Sequence, residues 1–360
     1  MVSALVSILV LGLLVIVHEL GHFIVARWAG VRILRFSVGF GPRLLTWRRG
    51  HTEYAVSAIP LGGYVKMAGE QSSEQAYQPW EYLSKPLGVR ALIVFAGPFV
   101  NYIVALVSLW VVFVIGYPEL SPVVGKILEH TPAQTAGLQI GDRIRAINGE
   151  QLRTWDEMTK RIHDAPDQSL TMQVERRGTS QSMVITPKPK KIIDPFGRQR
   201  NVGLIGVAPS GAFELFRVPP IEAISRTIHQ QNEWIVQTIL GLWAMATGKV
   251  SVRESVTGPI GIVFLTSEAV RMGIAPLMFL VALFSLNLAI FNVFPIPILD
   301  GGHLLFLLLE KLRGRPVSVN VQERSAQVSF VLLVTLVLIV CANDVSRFEL
   351  VDKLFGWVKR

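Results

Sequence analysis

Cysteine, charge and sequence repeats are all scarce in this chain. Its one cysteine, Cys341, lies in an apolar run, so a disulfide within the chain and a cysteine-rich metal site are both excluded. Charged residues make up 17% of the 360 residues against 51% hydrophobic ones, a more apolar balance than that of ordinary soluble proteins. The composition favours a membrane protein with two or three domains and excludes a disulfide-stabilised secreted fold.

Four apolar runs approach the length of about 20 residues that a helix needs to cross a bilayer. The first run has neither a basic n-region nor an A-x-A-like cleavage site, so we expect it to be kept as a span rather than removed as a signal peptide. The runs cover residues 3–28, 91–117, 275–296 and 326–342. They predict a polytopic α-helical membrane protein with four transmembrane helices.

The net charge of +9 is distributed unevenly between the connections. Nine Lys and Arg residues lie in residues 27–90, from the end of the first span to the start of the second, and four lie between the last two spans, whereas four lie in the C-terminal tail. The positive-inside tendency therefore places the first and third connections in the cytoplasm and both termini outside. No basic stripe is interleaved with aromatic residues, so we expect no nucleic-acid partner.

The first span contains the sequence His18-Glu19-Leu20-Gly21-His22. Ionisable residues are costly at membrane depth, which indicates a functional role. On a helix, His18 and His22 share a face and offer imidazole nitrogens to one zinc ion. Glu19 is close enough to act as general base towards a water molecule. The motif predicts a proteolytic zinc site inside a membrane.

A catalytic zinc needs a third protein ligand and one open position. In the third span, Pro295 and Pro297 must interrupt the helix, and a broken helix at membrane depth has to line a protein cavity. Asp300 follows the break beside two glycines that allow close approach of the backbone. His303 and Glu310 are rival ligands in the helix that resumes beyond the break. Asp300 is the predicted third ligand.

Two asparagines, Asn287 and Asn292, lie on the approach to this break. An asparagine amide donates to a developing oxyanion or holds a substrate carbonyl group. Alternatively, each amide bonds the carbonyl groups that the broken helix leaves free. Both interpretations stay open for both residues.

The segment between the first two spans alternates apolar and polar residues. Residues 33–38 and 53–59 are predicted strands, joined through turn signals around Gly41-Pro42 and residues 48–51. Strands beside a membrane active site suggest a hairpin that dips towards the zinc. The alternative is a cytoplasmic hairpin that only links two helices.

The middle of the chain has balanced charge and frequent turn dipeptides. Residues 132–144, followed by Ile147-Asn148-Gly149, closely resemble a PDZ domain, in which a helix ends at a glycine and a tight hairpin follows. Such domains bind extended peptides by strand addition. The resemblance implies a peptide-binding groove at Gly203, Leu204, Ile205 and Gly206. Residues 219–245 then form an amphipathic helix at the outer membrane face, with a coiled-coil or dimer face as the alternative.

The histidine motif, the Asn-x-x-Pro-x-Pro-x-Leu-Asp-Gly run beginning at Asn292 and the intervening PDZ-like region together resemble the site-2 protease family of intramembrane metalloproteases. Within it, the bacterial regulator-of-sigma-E protease group is most similar, over about residues 3–348. The resemblance implies one Zn²⁺ per chain, bound by His18, His22 and Asp300 with Glu19 as base. It also implies a membrane re-entrant β element at Gly39, Phe40 and Gly41 that handles substrate.

The same resemblance implies a location in the bacterial cytoplasmic membrane, with the PDZ domain outside and the active site opening to the cytoplasm. Expected partners are the bilayer, single-pass membrane proteins such as anti-sigma factors, signal-peptide remnants and a peptide ligand of the PDZ domain. The best-known members of the group carry two PDZ domains in tandem, whereas this chain has length for one. A size filter that depends on the pair is therefore not expected here.

The predicted fold is thus four transmembrane helices with a re-entrant β hairpin or sheet and one extracytoplasmic α+β PDZ domain. A catalytically silent PDZ scaffold and a metal transporter are the alternatives from other functional classes. The predicted segments are the first span (1–30), the re-entrant β element (31–70), a cytoplasmic linker (71–90), the second span (91–117), the PDZ domain (118–209), an amphipathic helical region (210–274), the third span (275–297), a cytoplasmic loop (298–325), the fourth span (326–343) and an interfacial tail (344–360).

Overall fold

The computed structural model describes residues 2–70, 76–194, 196–251 and 256–347. Most of the predicted interfacial tail, from residue 348 onward, lies outside the described residues. The chain divides into two compact units. Unit 1 comprises residues 1–112, 225–235 and 253–360, and unit 2 comprises residues 113–224 and 236–252.

Among the described residues, four helices are long and apolar enough to cross a membrane, as the hydropathy predicts. Two of them begin earlier than predicted, at Leu87 and Val319, because the helix continues through polar residues that a hydropathy count leaves out. They are α1 (Val2–Trp28), α2 (Leu87–Ile115), α7 (Ile274–Val293) and α9 (Val319–Arg347).

Shorter helices complete the helical part of the chain. Asp344 of α9 is fully buried and accepts hydrogen bonds from the backbone N–H groups of Gly258 and Gly261, at 3.1 and 2.9 Å. The carboxylate thereby caps a helix that packs against α1 and α7 and ties it to the fourth span. The remaining helices are α3 (Pro132–Thr135), α4 (Trp155–His163), α5 (Pro220–Ala246), α6 (Pro259–Met272) and α8 (Asp300–Arg313).

The segment between α1 and α2 is a sheet made of two long strands, β1 (Ile33–Arg49) and β2 (Thr52–Met67). Each strand contributes two stretches to the pairing. Residues 33–38 pair with 63–67 on one side and with 53–56 on the other. Residues 52–57 pair in turn with 43–49. The sheet therefore has four stretches side by side, with residues 63–67 at one edge and 43–49 at the opposite edge. The predicted strands are present but form a wider sheet than a simple hairpin.

Unit 2 has its own hydrophobic core, which includes Ile144, Met158, Met172 and Ile185. Asn148 and Gly149 both have positive φ values, 51° and 83°, which confirms the tight hairpin predicted at this dipeptide. The strands are β3 (Tyr117–Leu120), β4 (Val124–Ile127), β5 (Arg143–Ile147), β6 (Glu150–Gln151), β7 (Leu170–Arg176), β8 (Thr179–Ile185), β9 (Lys188–Ile193), β10 (Gln199–Leu204), β11 (Val207–Pro209) and β12 (Phe213–Phe216).

The strands of unit 2 form one sheet of four strands, in the order β6-β5-β7-β8, and three antiparallel pairs. The pairs are β10 with β9, β11 with β4, and β12 with β3. Because β12 pairs with β3, the fold of this unit continues past residue 209, where the sequence places the end of the domain. A strand of four residues is too short to be predicted from the alternation of apolar and polar residues.

Candidate metal centre

The two histidines of the first span lie on one face of α1, as their spacing of four residues requires. Both side chains are buried, and their Nε2 atoms lie 3.2 Å apart. The Nδ1 atom of His22 faces the backbone carbonyl of Ile93 in α2 at 2.8 Å. A carbonyl only accepts, so Nδ1 carries the proton and the Nε2 atom of His22 presents a lone pair.

Asp300 reaches the histidines because the chain turns sharply between α7 and α8. A Cβ atom at Gly301 would lie 2.1 Å from the carbonyl oxygen of Phe294, and one at Gly302 would lie 2.4 Å from that of Ile296. Only glycine permits this close return of the backbone. The Oδ2 atom of Asp300 consequently lies 3.0 Å from Nε2 of His18 and 3.4 Å from Nε2 of His22.

These three donor atoms fit a zinc ion. The buried Oδ2 atom of Asp300 faces the Nε2 atoms of both histidines, so a cation held among these three atoms would stabilise its negative charge. Around a tetrahedral ion with bonds of about 2.0–2.1 Å, ligand atoms are separated by about 3.3 Å. The separations of 3.0, 3.2 and 3.4 Å agree with that value. Three protein donors leave a fourth position open, as in catalytic rather than structural zinc sites.

Glu19 borders the same site without joining the donor cluster. Its carboxylate accepts a hydrogen bond from the backbone N–H of Val65 in β2. Together with His22 and Asp300, it lines a cavity of about 410 Å³. The base predicted from the sequence therefore borders a cavity that two of the three donors also line.

The rival third ligands have other positions. The carboxylate of Glu310 accepts hydrogen bonds from the guanidinium group of Arg90 at 2.6 and 3.3 Å. His303 lines the cavity but does not belong to the described donor cluster.

The two asparagines predicted to contact substrate, Asn287 and Asn292, lie in the last two turns of α7, and both are half-buried. Their roles towards substrate stay predictions.

Helix α2 supplies contacts to the histidines that the sequence patterns did not indicate. The amide of Asn101, fully buried, has its Nδ2 atom 3.2 Å from Nδ1 of His18. A Cβ atom at Gly97 would lie 2.3 Å from Nε2 of His22. Ile93, Gly97 and Asn101 follow one another at intervals of four, so they form one stripe of α2 facing the two rings. The asparagine within this apolar span was the sequence feature that could have indicated a contact with the site.

The predicted substrate-handling turn lies where β1 bends. Gly39 and Gly41 have φ values of 89° and 83°, and a Cβ atom at Gly39 would lie 2.6 Å from the carbonyl oxygen of Ile59. Phe40 is exposed, and further along the strand Leu44, Leu45 and Trp47 are exposed as well. This part of the sheet offers an apolar surface, which is the property that a membrane environment requires.

The predicted groove residues of unit 2 lie where β10 ends and β11 begins. The carbonyl of Ile205 accepts from the N–H of Ala133, and that of Gly206 accepts from the N–H of Leu128. A Cβ atom at Gly203 would lie 2.4 Å from the carbonyl oxygen of Ile162 in α4. This segment therefore connects the strand pair to α3 and α4, and Ile205 belongs to the core.

One buried ion pair holds the start of β5 in unit 2. Asp142 is buried, and both of its oxygens lie 2.7 Å from the guanidinium group of Arg176. Burial alone would raise the pKa of the Asp142 carboxyl group. The hydrogen bonds from Arg176 and from the backbone N–H of Gln139 outweigh this effect, so the pKa lies below its ordinary value.

Comparison with known proteins finds one matching family and several relatives. The sequence model of Peptidase family M50 matches residues 6–336. Protease RseP of Yersinia pestis is 32% identical over 453 positions, covering 94% of this chain and 97% of that protein. The regulator of sigma-E protease RseP of Escherichia coli is 31% identical with the same coverage. Zinc metalloprotease RasP of Geobacillus kaustophilus is 29% identical, covering 97% of this chain and 99% of that protein.

Proposed function

This chain belongs to peptidase family M50 and is a multi-pass membrane zinc metalloprotease of the site-2 type, and we propose that it cleaves its substrates inside their membrane-spanning segments. The observation that carries the proposal is the convergence of His18, His22 and Asp300 beside Glu19, with both histidines and Glu19 on a helix, α1, that is apolar enough to span a bilayer. A peptide bond cleaved at this depth belongs to a transmembrane or membrane-entering segment.

His18, His22 and Asp300 hold one zinc ion in this proposal. When bound, zinc acts as a Lewis acid that activates water and polarises the scissile carbonyl group. Asp300 contributes negative charge that offsets part of the charge of the cation. The carbonyl of Ile93 holds His22 with its Nε2 lone pair facing the other donors.

Glu19 is the general base. Its carboxylate takes a proton from the attacking water and later delivers it to the leaving amine nitrogen. The hydrogen bond from Val65 fixes the carboxylate at the edge of the cavity, next to the donor cluster. The amide of Asn292 is proposed to donate to the developing oxyanion, with Asn287 holding the substrate near the same helix end.

The sheet prepares the substrate. A helical segment shields its carbonyl groups in hydrogen bonds, so it must unwind before a water molecule attacks. Residues 63–67 form an edge of the sheet, and the N–H group of Val65 at that edge bonds to Glu19. A substrate strand added here would replace its lost helical hydrogen bonds and lie beside the base. The exposed turn at Gly39, Phe40 and Gly41 would contact the substrate as it enters.

The cavity supports a cytoplasmic opening of the site. It is lined by residues of the first and third connections, among them Tyr82, Arg90 and Glu310, which the distribution of Lys and Arg places on the cytoplasmic side. Unit 2 then lies outside. Cysteines introduced at Ser182 and at Arg315 test this arrangement, since an impermeant thiol reagent should label Ser182→Cys in intact cells and Arg315→Cys only after permeabilisation. The reverse pattern would refute the proposed topology.

Unit 2 is proposed to be a PDZ-like domain that regulates access rather than chemistry. Its β10–β11 connection and α4 resemble the elements that bind an extended peptide in such domains. The alignment with the Escherichia coli protein extends over 446 positions, more than the 360 residues of this chain, so that relative contains segments without a counterpart here. The expected substrates are single-pass membrane proteins or remnant signal peptides.

The variant Glu19→Gln tests the proposed chemistry. Glutamine keeps the shape of the side chain but does not accept a proton, so zinc should stay bound while cleavage of a model transmembrane substrate is lost. Membrane fragments that accumulate with the wild-type enzyme and not with this variant would identify the natural substrates. Wild-type cleavage rates in a Glu19→Gln protein would rule out the assigned base.

A further inference from the structure

We infer that Asn101 of α2 is a positioning residue that selects the metal-binding tautomer of His18. This inference rests on the proposed binding of zinc by His18, His22 and Asp300. It concerns the side of the His18 ring that faces away from those donors. Asn101 is fully buried in α2, and its amide lies 3.2 Å from the Nδ1 atom of His18.

The geometry of the donor cluster determines where the proton of His18 must lie. The Nε2 atom of His18 faces Oδ2 of Asp300 at 3.0 Å and Nε2 of His22 at 3.2 Å. As a zinc ligand, this atom presents a lone pair, so the single proton of the neutral ring lies on Nδ1. A protonated Nδ1 in a buried site needs an acceptor, because an unsatisfied donor there costs about 1–3 kcal/mol.

The Asn101 side chain is the group placed to accept that proton. Its Nδ2 atom faces His18, while its Oδ1 atom is buried without a hydrogen-bond partner among the described residues. The two ends of an amide have nearly the same shape, and their assignment follows from the hydrogen bonds they make. A half-turn of the amide group brings Oδ1 to Nδ1–H of His18, and this orientation matches the metal-bound ring.

The amide has the opposite orientation when the His18 ring binds no metal. With Nδ2 directed at Nδ1, the amide donates, and the ring proton moves to Nε2, where it meets the carboxylate of Asp300 at 3.0 Å. Zinc binding is therefore coupled to a half-turn of the Asn101 amide, after which its Oδ1 atom is the acceptor that holds Nδ1–H of the metal-bound ring. An aspartate at this position would accept only, and a leucine would do neither.

Zinc affinity in the purified full-length protein, measured by competition with a fluorescent chelator, tests this role. Asn101→Leu should weaken zinc binding about 10–100-fold, the usual range for loss of an outer-shell partner. Asn101→Asp should bind zinc at least as tightly as wild type, because its carboxylate accepts from Nδ1–H. Equal loss in both variants would indicate a packing defect and overturn the inference.

Two further variants separate this inference from the proposed metal site. Ser285→Ala removes a hydrogen bond that the Ser285 hydroxyl donates to the backbone carbonyl of Asn101 at 2.8 Å, and it should leave zinc affinity unchanged. His18→Ala should abolish tight binding. If Asn101→Leu keeps wild-type zinc affinity while His18→Ala loses it, the role of Asn101 is refuted but the metal site is not. Unchanged affinity in His18→Ala would instead refute the metal site itself.

Discussion

The candidate metal centre of unit 1 and the hydrophobic core of unit 2 are built in opposite ways. Around the centre, three side chains separated by up to 282 positions in the chain meet in a space that glycines keep open. In unit 2, fourteen buried apolar residues pack together between residues 124 and 205. The first region depends on a few atoms with fixed positions, whereas the second spreads its stability over many contacts.

Substitutions in the two regions should therefore have different consequences. A change at the centre removes a donor or displaces a ring, and the loss is one of metal binding rather than of folding. A change in the core of unit 2 removes apolar contacts, and the loss is one of stability with the metal centre intact. Zinc content therefore reports on the first region, and hydrogen exchange reports on the second.

The largest effect is expected for Asp300→Ala. Loss of the carboxylate leaves two donors and removes the negative charge that offsets the cation, so zinc affinity should fall by more than the roughly 100-fold typical of outer-shell losses. Metal analysis of the purified protein measures the effect, with Glu19→Gln as a variant expected to keep its zinc. Full zinc occupancy in Asp300→Ala would remove Asp300 from the proposed ligand set.

The next largest effect is expected for Gly97→Ala. The added methyl group would lie 2.3 Å from Nε2 and 2.6 Å from Cε1 of His22, so the ring or helix α2 must move. We expect most bound zinc to be lost while α2 stays helical, since alanine favours helix. Gly88→Ala in the same helix is the matched control, because no atom lies within 4 Å of its added methyl group. Equal zinc content in both variants would contradict the packing argument.

A smaller effect, confined to unit 2, is expected for Ile144→Ala. Ile144 is fully buried in the core of that unit, and truncation of such a side chain costs about 2–5 kcal/mol. Hydrogen exchange of the full-length protein should report faster opening of β5 and β7, with unchanged zinc content. Val184→Ala, at an exposed position of β8, serves as the control with little effect. Loss of zinc in Ile144→Ala would show that the two regions are not independent.

The sequence predicts the metal centre better than the structures around it. The spacing of His18 and His22 is a local property of one helix, and the prolines before Asp300 mark a local break, so both can be read from the chain. The contacts of Gly97 and Asn101 depend on how α2 packs against α1, which no local pattern contains. The four-stretch sheet depends in the same way on pairing between distant stretches of β1 and β2.

The smallest effect is expected for the Asp142–Arg176 pair. The pKa of Asp142 is lowered in the folded state, so the unfolded chain binds more protons and stability rises with pH. The contribution of the pair is fully present above the ordinary aspartate pKa of about 3.9, and it is lost as the pH falls through the folded-state value. Asp142→Asn should remove the share of this acid dependence that the pair contributes and cost about 1.5–3 kcal/mol at neutral pH, the usual value of hydrogen bonds to charged groups. Hydrogen exchange of β5 at pH 7 and pH 3.5 measures both the stability at neutral pH and its acid dependence.

A second carboxyl group in unit 2, Glu175, also has a lowered pKa, through its hydrogen bond from Arg145, but its pair is exposed and screened by solvent. Glu175→Gln is therefore the control that should keep most of the acid dependence. If Glu175→Gln abolishes it and Asp142→Asn does not, the buried pair is not what ties the stability of unit 2 to pH.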